Sequence, residues 1–196
     1  MGRFIYLRPR PGTVSGIWLL TGPPGVGKST VVAAVVLKLK SAGVIVGGCS
    51  TAERKAKGAR VGFEVLNLTD GTRGVLAAVA GVLGPRVGRY RVNLADLSAV
   101  GAAGLTKAAA SSELIVIDEL GPMELVSPEF RKAVRACIDS GKTILAVVHE
   151  RLDDDLLLEM KSSARETIVV TPEGRNDVPE ALAKALLEAV GGPKAS

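Results

Sequence analysis

The sequence predicts an α/β fold, a mainly parallel sheet with helices on both faces and a small hairpin insertion. Three observations predict it. Short apolar runs alternate with Gly- and Pro-poor stretches of helical composition. The run Ile17 to Thr21 breaks into a glycine-rich loop that opens a helix. A later run, Leu114 to Ile117, ends in two adjacent carboxylates, Asp118 and Glu119. Right-handed crossovers between parallel strands would gather the strand-to-helix loops at the carboxyl edge of the sheet.

Each element follows from local pattern. Residues 1–16 read as an N-terminal extension or edge strand of a single domain spanning 1–196. Ile17 to Thr21 is a buried strand. Ser29 to Lys40 is a helix, with Gly43 where a helix stop belongs, and Val44 to Val46 begins a second strand. Residues 52–74 are polar and glycine-punctuated, with alternating Val61, Phe63, Val65 and Leu68, which predicts strands or a hairpin near the site. Arg89 to Asn93 reads as a short strand. Residues 94–110 read as a helix despite Gly101 and Gly104. The unbroken apolar run from Leu114 is a buried parallel strand. Ser127-Pro128 supplies an N-cap and a proline at the first helical position, for a helix to about Asp139 that Gly141 ends. Strands follow at Thr143 to Val148, ending at His149, and at Thr167 to Val170. Asp177 with Glu180 predicts a capping box for a last helix to about Val190.

Composition bounds the function. At 196 residues and 47% hydrophobic, the chain has material for one well-formed core, and 3% aromatics means that core is built of Val, Leu, Ile and Ala. A net charge of +5 suits an anionic partner. There is no dense Lys/Arg block and little aromatic surface for stacking bases, which argues for a nucleotide rather than nucleic acid. Cys49 and Cys137 lie far apart without CxxC pairing and read as small buried hydrophobes. No run reaches membrane-spanning length and Met1 to Gly16 lacks a signal-peptide pattern, so a cytoplasmic protein is expected. Glutamine is absent and asparagine is confined to Asn67, Asn93 and Asn176, which points to a thermophilic source.

The chemistry is carried by two motifs. Gly22-Pro23-Pro24-Gly25-Val26-Gly27-Lys28-Ser29 matches GxxxxGK[ST] at every fixed position, with Thr30 following. Such a loop wraps a β-phosphate with backbone N–H groups and aims a helix N-terminus at it. Lys28 reaches the β- and γ-phosphates, and the Ser29 hydroxyl ligates Mg²⁺. The strand Leu114-Ile115-Val116-Ile117 delivers Asp118 as a Walker B carboxylate for Mg²⁺ and Glu119 beside it as a base for water, a RecA-like arrangement. A Ras-type switch positions its water with Gln, which this chain does not possess.

Other candidates are open. His149, the only histidine, is either a γ-phosphate sensor at a strand end or a structural residue. Arg54, Arg60, Arg73, Arg86, Arg89 and Arg151 compete to neutralise transition-state charge. Glu124 either supports the carboxylates or is a solvated loop residue. Asp153-Asp154-Asp155 reads as helix capping rather than a metal site.

The succession TGPPGVGKST, RVGFEV, RVGRYRV and VIDELGPMEL, over residues 17–180, resembles the small P-loop nucleoside-triphosphatases of thermophilic type, with relatives in archaea, bacteria and animals. The resemblance implies Mg²⁺-dependent hydrolysis of ATP, GTP, CTP and UTP to diphosphate and phosphate with broad base tolerance. It implies nucleotide-binding positions at Gly22 to Ser29 and from Leu114 through Leu120 to Gly121. Archaeal members carry a His-Arg segment after the next strand, which here reads His149-Glu150-Arg151. The chain is expected to act as a monomer on nucleoside triphosphates. A small-molecule kinase on the same fold and a slow nucleotide-gated module are the alternatives.

Overall fold

The computed structural model describes the backbone of residues 5–7, and residues 16–150 and 152–191 in full. Apolar runs become strands that pair into one ten-stranded sheet. In chain order these are β1 (Ile5–Leu7), β2 (Ile17–Thr21), β3 (Val46–Ala56), β4 (Ala59–Asn67), β5 (Arg73–Ala78), β6 (Arg86–Val87), β7 (Tyr90–Val92), β8 (Leu114–Leu120), β9 (Thr143–Val148) and β10 (Glu166–Val169). Their order across the sheet is β1-β10-β2-β9-β8-β3-β4-β5-β7-β6. The five strands from β10 to β3 are parallel neighbours and form the expected centre.

The flanks are antiparallel. β1 lines the β10 edge, so of the two readings of residues 1–16, extension or edge strand, Ile5–Leu7 follows the second. On the other side β4, β5, β7 and β6 continue the sheet antiparallel, so the predicted hairpin is one part of a larger flank. β3 also begins at Val46 rather than Val44. It turns into β4 at Lys57-Gly58, both left-handed (φ 49° and 78°), as a two-residue turn between right-twisted strands requires.

Helices cover both faces. They are α1 (Lys28–Ser41), α2 (Leu94–Asp96) leading through a π-helical stretch, Leu97–Ala102, into α3 (Ala103–Ser111), then α4 (Pro122–Leu125), α5 (Pro128–Asp139), α6 (Asp155–Ser163) and α7 (Val178–Gly191). One core joins α3, α5 and α6 to the sheet through Ile115, Ile117, Phe130, Leu105 and Leu157. The other joins α1 and α7 through Leu20, Leu114, Val116, Val35 and Leu186. Alternate residues of β8 therefore serve opposite cores, as a strand buried on both faces must.

Gly104 lets α3 lie close to the sheet. A Cβ there would stand 2.9 Å from both the Gly48 carbonyl oxygen and the Asn67 side chain. Ser127 caps α5 by accepting the Phe130 N–H at 3.2 Å, with Pro128 at the first helical position. Asp154 caps α6 by accepting the Leu156 N–H at 2.9 Å, which is the capping role read for the Asp153–Asp155 run. Cys49 and Cys137 are buried free thiols. No helix among the described residues is long and apolar enough to cross a membrane.

Candidate nucleotide site

The end of β2 runs into the P-loop, and three of its residues need backbone that only glycine takes easily. Gly22, Gly25 and Gly27 have φ of 140°, 75° and 107°. At Gly22 a Cβ would also meet the Val170 carbonyl oxygen at 2.6 Å, so the loop is pressed against the end of β10. Gly27 is the N-cap of α1, no side chain caps that terminus, and its first turn holds no acidic residue. The positive end of a 14-residue helix is thus left for an anion. Pro23, Pro24 and Gly25 are exposed, as are Ser29 and Thr30 on the first turn, while Val26 turns into the core.

Lys28 is 9% exposed, and its ammonium donates to the Gly22 carbonyl at 2.9 Å and the Pro23 carbonyl at 3.2 Å. The side chain is folded back over the loop whose N–H groups it accompanies. Ser29 donates its hydroxyl to Asp118 Oδ1 at 3.1 Å, across 89 residues of sequence. That contact joins the two motifs at the carboxyl edge of the sheet.

Asp118 sits where β8 breaks register. Pairing with β9 runs evenly to Ile117 and resumes with Leu120 against Val148, so three β8 steps face two on β9. A bulge of this kind re-aims side chains. Asp118 is 2% exposed, and burial is the main cause that pushes its carboxyl up to about 7, with Glu119 adding to the rise and the Ser29 hydroxyl and Lys28 opposing it. Glu119 is half-buried and flanks Gly121 together with Glu124.

Glu124 is not a solvated loop residue. It is 5% exposed and accepts the Gly121 N–H at 3.1 Å, half of a capping box, since glycine has no side chain to complete the other half. Burial pushes its carboxyl up to about 8, with Glu119 and Asp118 adding repulsion. Leu114, Ile115, Val116, Ile117 and Leu120 are fully buried in the two cores, so what they lend the site is the position of Asp118 and Glu119.

The model of an NTPase family matches residues 18–183. The chain is 42% identical over 175 residues to a protein of Thermofilum pendens named nucleoside-triphosphatase THEP1, covering 88% of this chain and 96% of that one. A protein of the same name from Methanosarcina acetivorans is 42% identical over 173 residues, covering 88% and 97%. This chain belongs to the THEP1 nucleoside-triphosphatase family. Its fold matches the crystal structure of THEP1 from the hyperthermophile Aquifex aeolicus with a TM-score of 0.74 at 28% identity, covering 87% of this chain and 98% of that one. It also matches the solution structure of a human cancer-related nucleoside triphosphatase with a TM-score of 0.71 at 34% identity, covering 87% and 97%.

In this THEP1-family chain, His149 follows β9, between β2 and β8, and its N–H donates to the Leu120 carbonyl at 3.2 Å. The candidate arginines are less concentrated. Arg60 and Arg89 stack over Phe63 and Tyr90 at 5.6 and 5.1 Å, and Arg89 also donates to the Arg60 carbonyl. Arg54 and Arg73 reach Glu64 at 3.5 and 3.6 Å, and Arg86 donates to the Gly88 carbonyl. Arg60, Arg73, Arg86 and Arg89 belong to the antiparallel flank, and Arg54 lies on the stretch of β3 that pairs with β4. Arg151 lies outside the described residues. Among the described residues, the arginine that stands at the P-loop is Arg175, from the loop between β10 and α7. Its Cδ and Nη1 lie 3.6 and 4.0 Å from where a Gly27 Cβ would be. No motif marks that loop in the sequence, and the proximity comes from β10 pairing with β2.

Proposed function

We propose that this chain hydrolyses nucleoside 5′-triphosphates to diphosphate and phosphate with Mg²⁺, tolerating ATP, GTP, CTP and UTP. The contact of Ser29 with Asp118 beside the Lys28-lined loop carries the reading. Both donors are hard oxygens, and the Asp118 carboxyl is buried where its charge lacks solvent, conditions that suit a small divalent cation. Ser29 and Asp118 would hold Mg²⁺, which when bound offsets charge on the β- and γ-phosphate oxygens. The loop N–H groups and the α1 terminus bind the β-phosphate. Lys28 transfers its hydrogen bonds from loop carbonyls to phosphate oxygens.

Glu119 accepts a proton from a water that attacks the γ-phosphorus. A P–O bond forms to that water, the bond from the γ-phosphorus to the β–γ bridging oxygen breaks, and the diphosphate leaves with the electron pair. His149, next along the sheet edge, senses the γ-phosphate. One sheet running through all described strands supports a single domain.

Phosphate release from each of the four triphosphates, with no acceptor present and with or without Mg²⁺, tests the activity. Release without acceptor is expected. Its absence, with phosphate transferred only when an acceptor is added, would establish a kinase instead. Glu119→Gln is expected to retain ADP and ATP binding while turnover falls about 10²–10⁴-fold. A normal rate in that variant would remove Glu119 as the base.

A further inference from the structure

We propose that Arg175 is a phosphate-binding residue, reaching from the β10–α7 loop across Gly27 to the α-phosphate end of the bound nucleotide. The inference rests on the nucleotide-binding reading of the P-loop. Arg175 is exposed, yet its Cδ and Nη1 lie 3.6 and 4.0 Å from where a Gly27 Cβ would stand. No hydrogen bond or ion pair engages that guanidinium among the described residues. Its backbone is held in place, the Arg175 N–H donating to the Thr171 carbonyl at 3.0 Å and the Gly174 N–H to the Thr171 hydroxyl at 3.2 Å.

The α1 terminus gathers positive groups, which a bound anion would offset. The N-terminus of α1 carries positive partial charge, Lys28 adds an ammonium, and the first turn supplies no carboxylate. A second cation brought there by the fold meets repulsion from those two groups. A polyphosphate laid on the loop reverses the sign, because each of the three positive groups then faces negative oxygen. Among the described residues, the other surface arginines are engaged by carboxylates, carbonyls or rings, as Arg131, Arg86 and Arg165 are.

Strand order decides which end of the nucleotide Arg175 meets. The P-loop follows β2. Asp118 and Glu119 lie to one side, on β8 beyond β9, and Arg175 lies to the other side, after β10. With the γ-phosphate turned toward Glu119, the α-phosphate end points toward Arg175. An arginine on that side adds affinity equally in the ground and transition states, and therefore acts on KM more than on kcat.

Calorimetric titration of ADP and of inorganic tripolyphosphate, each with Mg²⁺, tests this in Arg175→Ala, Arg175→Lys and a Lys28→Ala control. Arg175→Ala is expected to weaken both ligands about tenfold to a hundredfold, and Arg175→Lys to recover part of the loss. In turnover assays KM should rise by a similar factor while kcat changes far less. Wild-type affinity in Arg175→Ala, with Lys28→Ala weakened, would overturn the assignment and leave the P-loop reading intact. Wild-type affinity in Lys28→Ala as well would instead defeat the P-loop reading itself. Loss of ADP affinity with tripolyphosphate affinity retained would show a contact to base or ribose, and a collapse of kcat at unchanged KM a transition-state arginine. Either result overturns the proposal.

Discussion

At the residue scale the candidate site sets Lys28 and the α1 terminus beside the carboxyl groups of Asp118, Glu119 and Glu124. Lys28→Ala removes the ammonium that accompanies the loop. Nucleotide affinity should fall by tenfold or more, on the order of a charged hydrogen bond, and turnover should cease. Equilibrium titration and phosphate release check the two effects separately.

Glu124 offers a test that does not depend on nucleotide. Its folded carboxyl is raised to about 8, so between the ordinary carboxylate range and that value the folded state binds more protons than the unfolded one. Stability of the ligand-free protein should therefore fall as pH rises from about 5 to about 8, by at most about 1.4 kcal/mol per pH unit for one group. Asp118 contributes with the same sign up to about 7. Glu124→Gln keeps an acceptor for the Gly121 N–H and removes the charge, so its stability should depend less steeply on pH. Urea midpoints at pH 5 and pH 8 measure the difference, and parallel slopes in the two proteins would contradict the burial argument.

At the element scale, capping and close approach fix where helices begin and how near they lie to the sheet. Ser127 is fully buried and holds the first turn of α5, so Ser127→Ala should cost about 1–2 kcal/mol, read as a fall in the urea midpoint. Gly104→Ala sets two effects against each other. Helix propensity favours alanine by about 1 kcal/mol. The new methyl, however, meets the backbone of Gly48 at 2.9 Å, and overpacking of that kind costs about 1–3 kcal/mol. The backbone of a central strand cannot step aside as a flexible side chain would, so net destabilisation is expected. A more stable Gly104→Ala protein would mean that α3 can shift off the sheet.

At the scale of the molecule, the parallel centre delivers β2, β9, β8 and β10 to one edge, and ligand binding there should brace the whole sheet. A ligand at about a hundred times its Kd adds about 2.7 kcal/mol, which for a chain of this size corresponds to a rise in Tm of roughly 5–10 °C. Mg²⁺ with ADP should produce that rise in the wild-type protein and little of it in Lys28→Ala. Thermal melts with and without a chelator separate the metal's share from that of the nucleotide.

Much of this was legible in the sequence, because it is written over a few adjacent residues. Glycine spacing declares the φ angles of the P-loop, an unbroken apolar run declares a buried strand, and Ser127-Pro128 declares a helix start. Those local rules read Gly22 to Ser29 as a loop opening a helix and set Asp118 and Glu119 at the end of a buried strand, and they found the central strands. They did not show that Ser29 and Asp118 touch, that Glu124 is buried, or that Arg175 rather than an arginine of the RVGFEV and RVGRYRV segments stands at the P-loop. Those facts depend on strand order and on what packs over each side chain. Pairing and burial arise between residues far apart in the chain, and no short stretch of sequence encodes them.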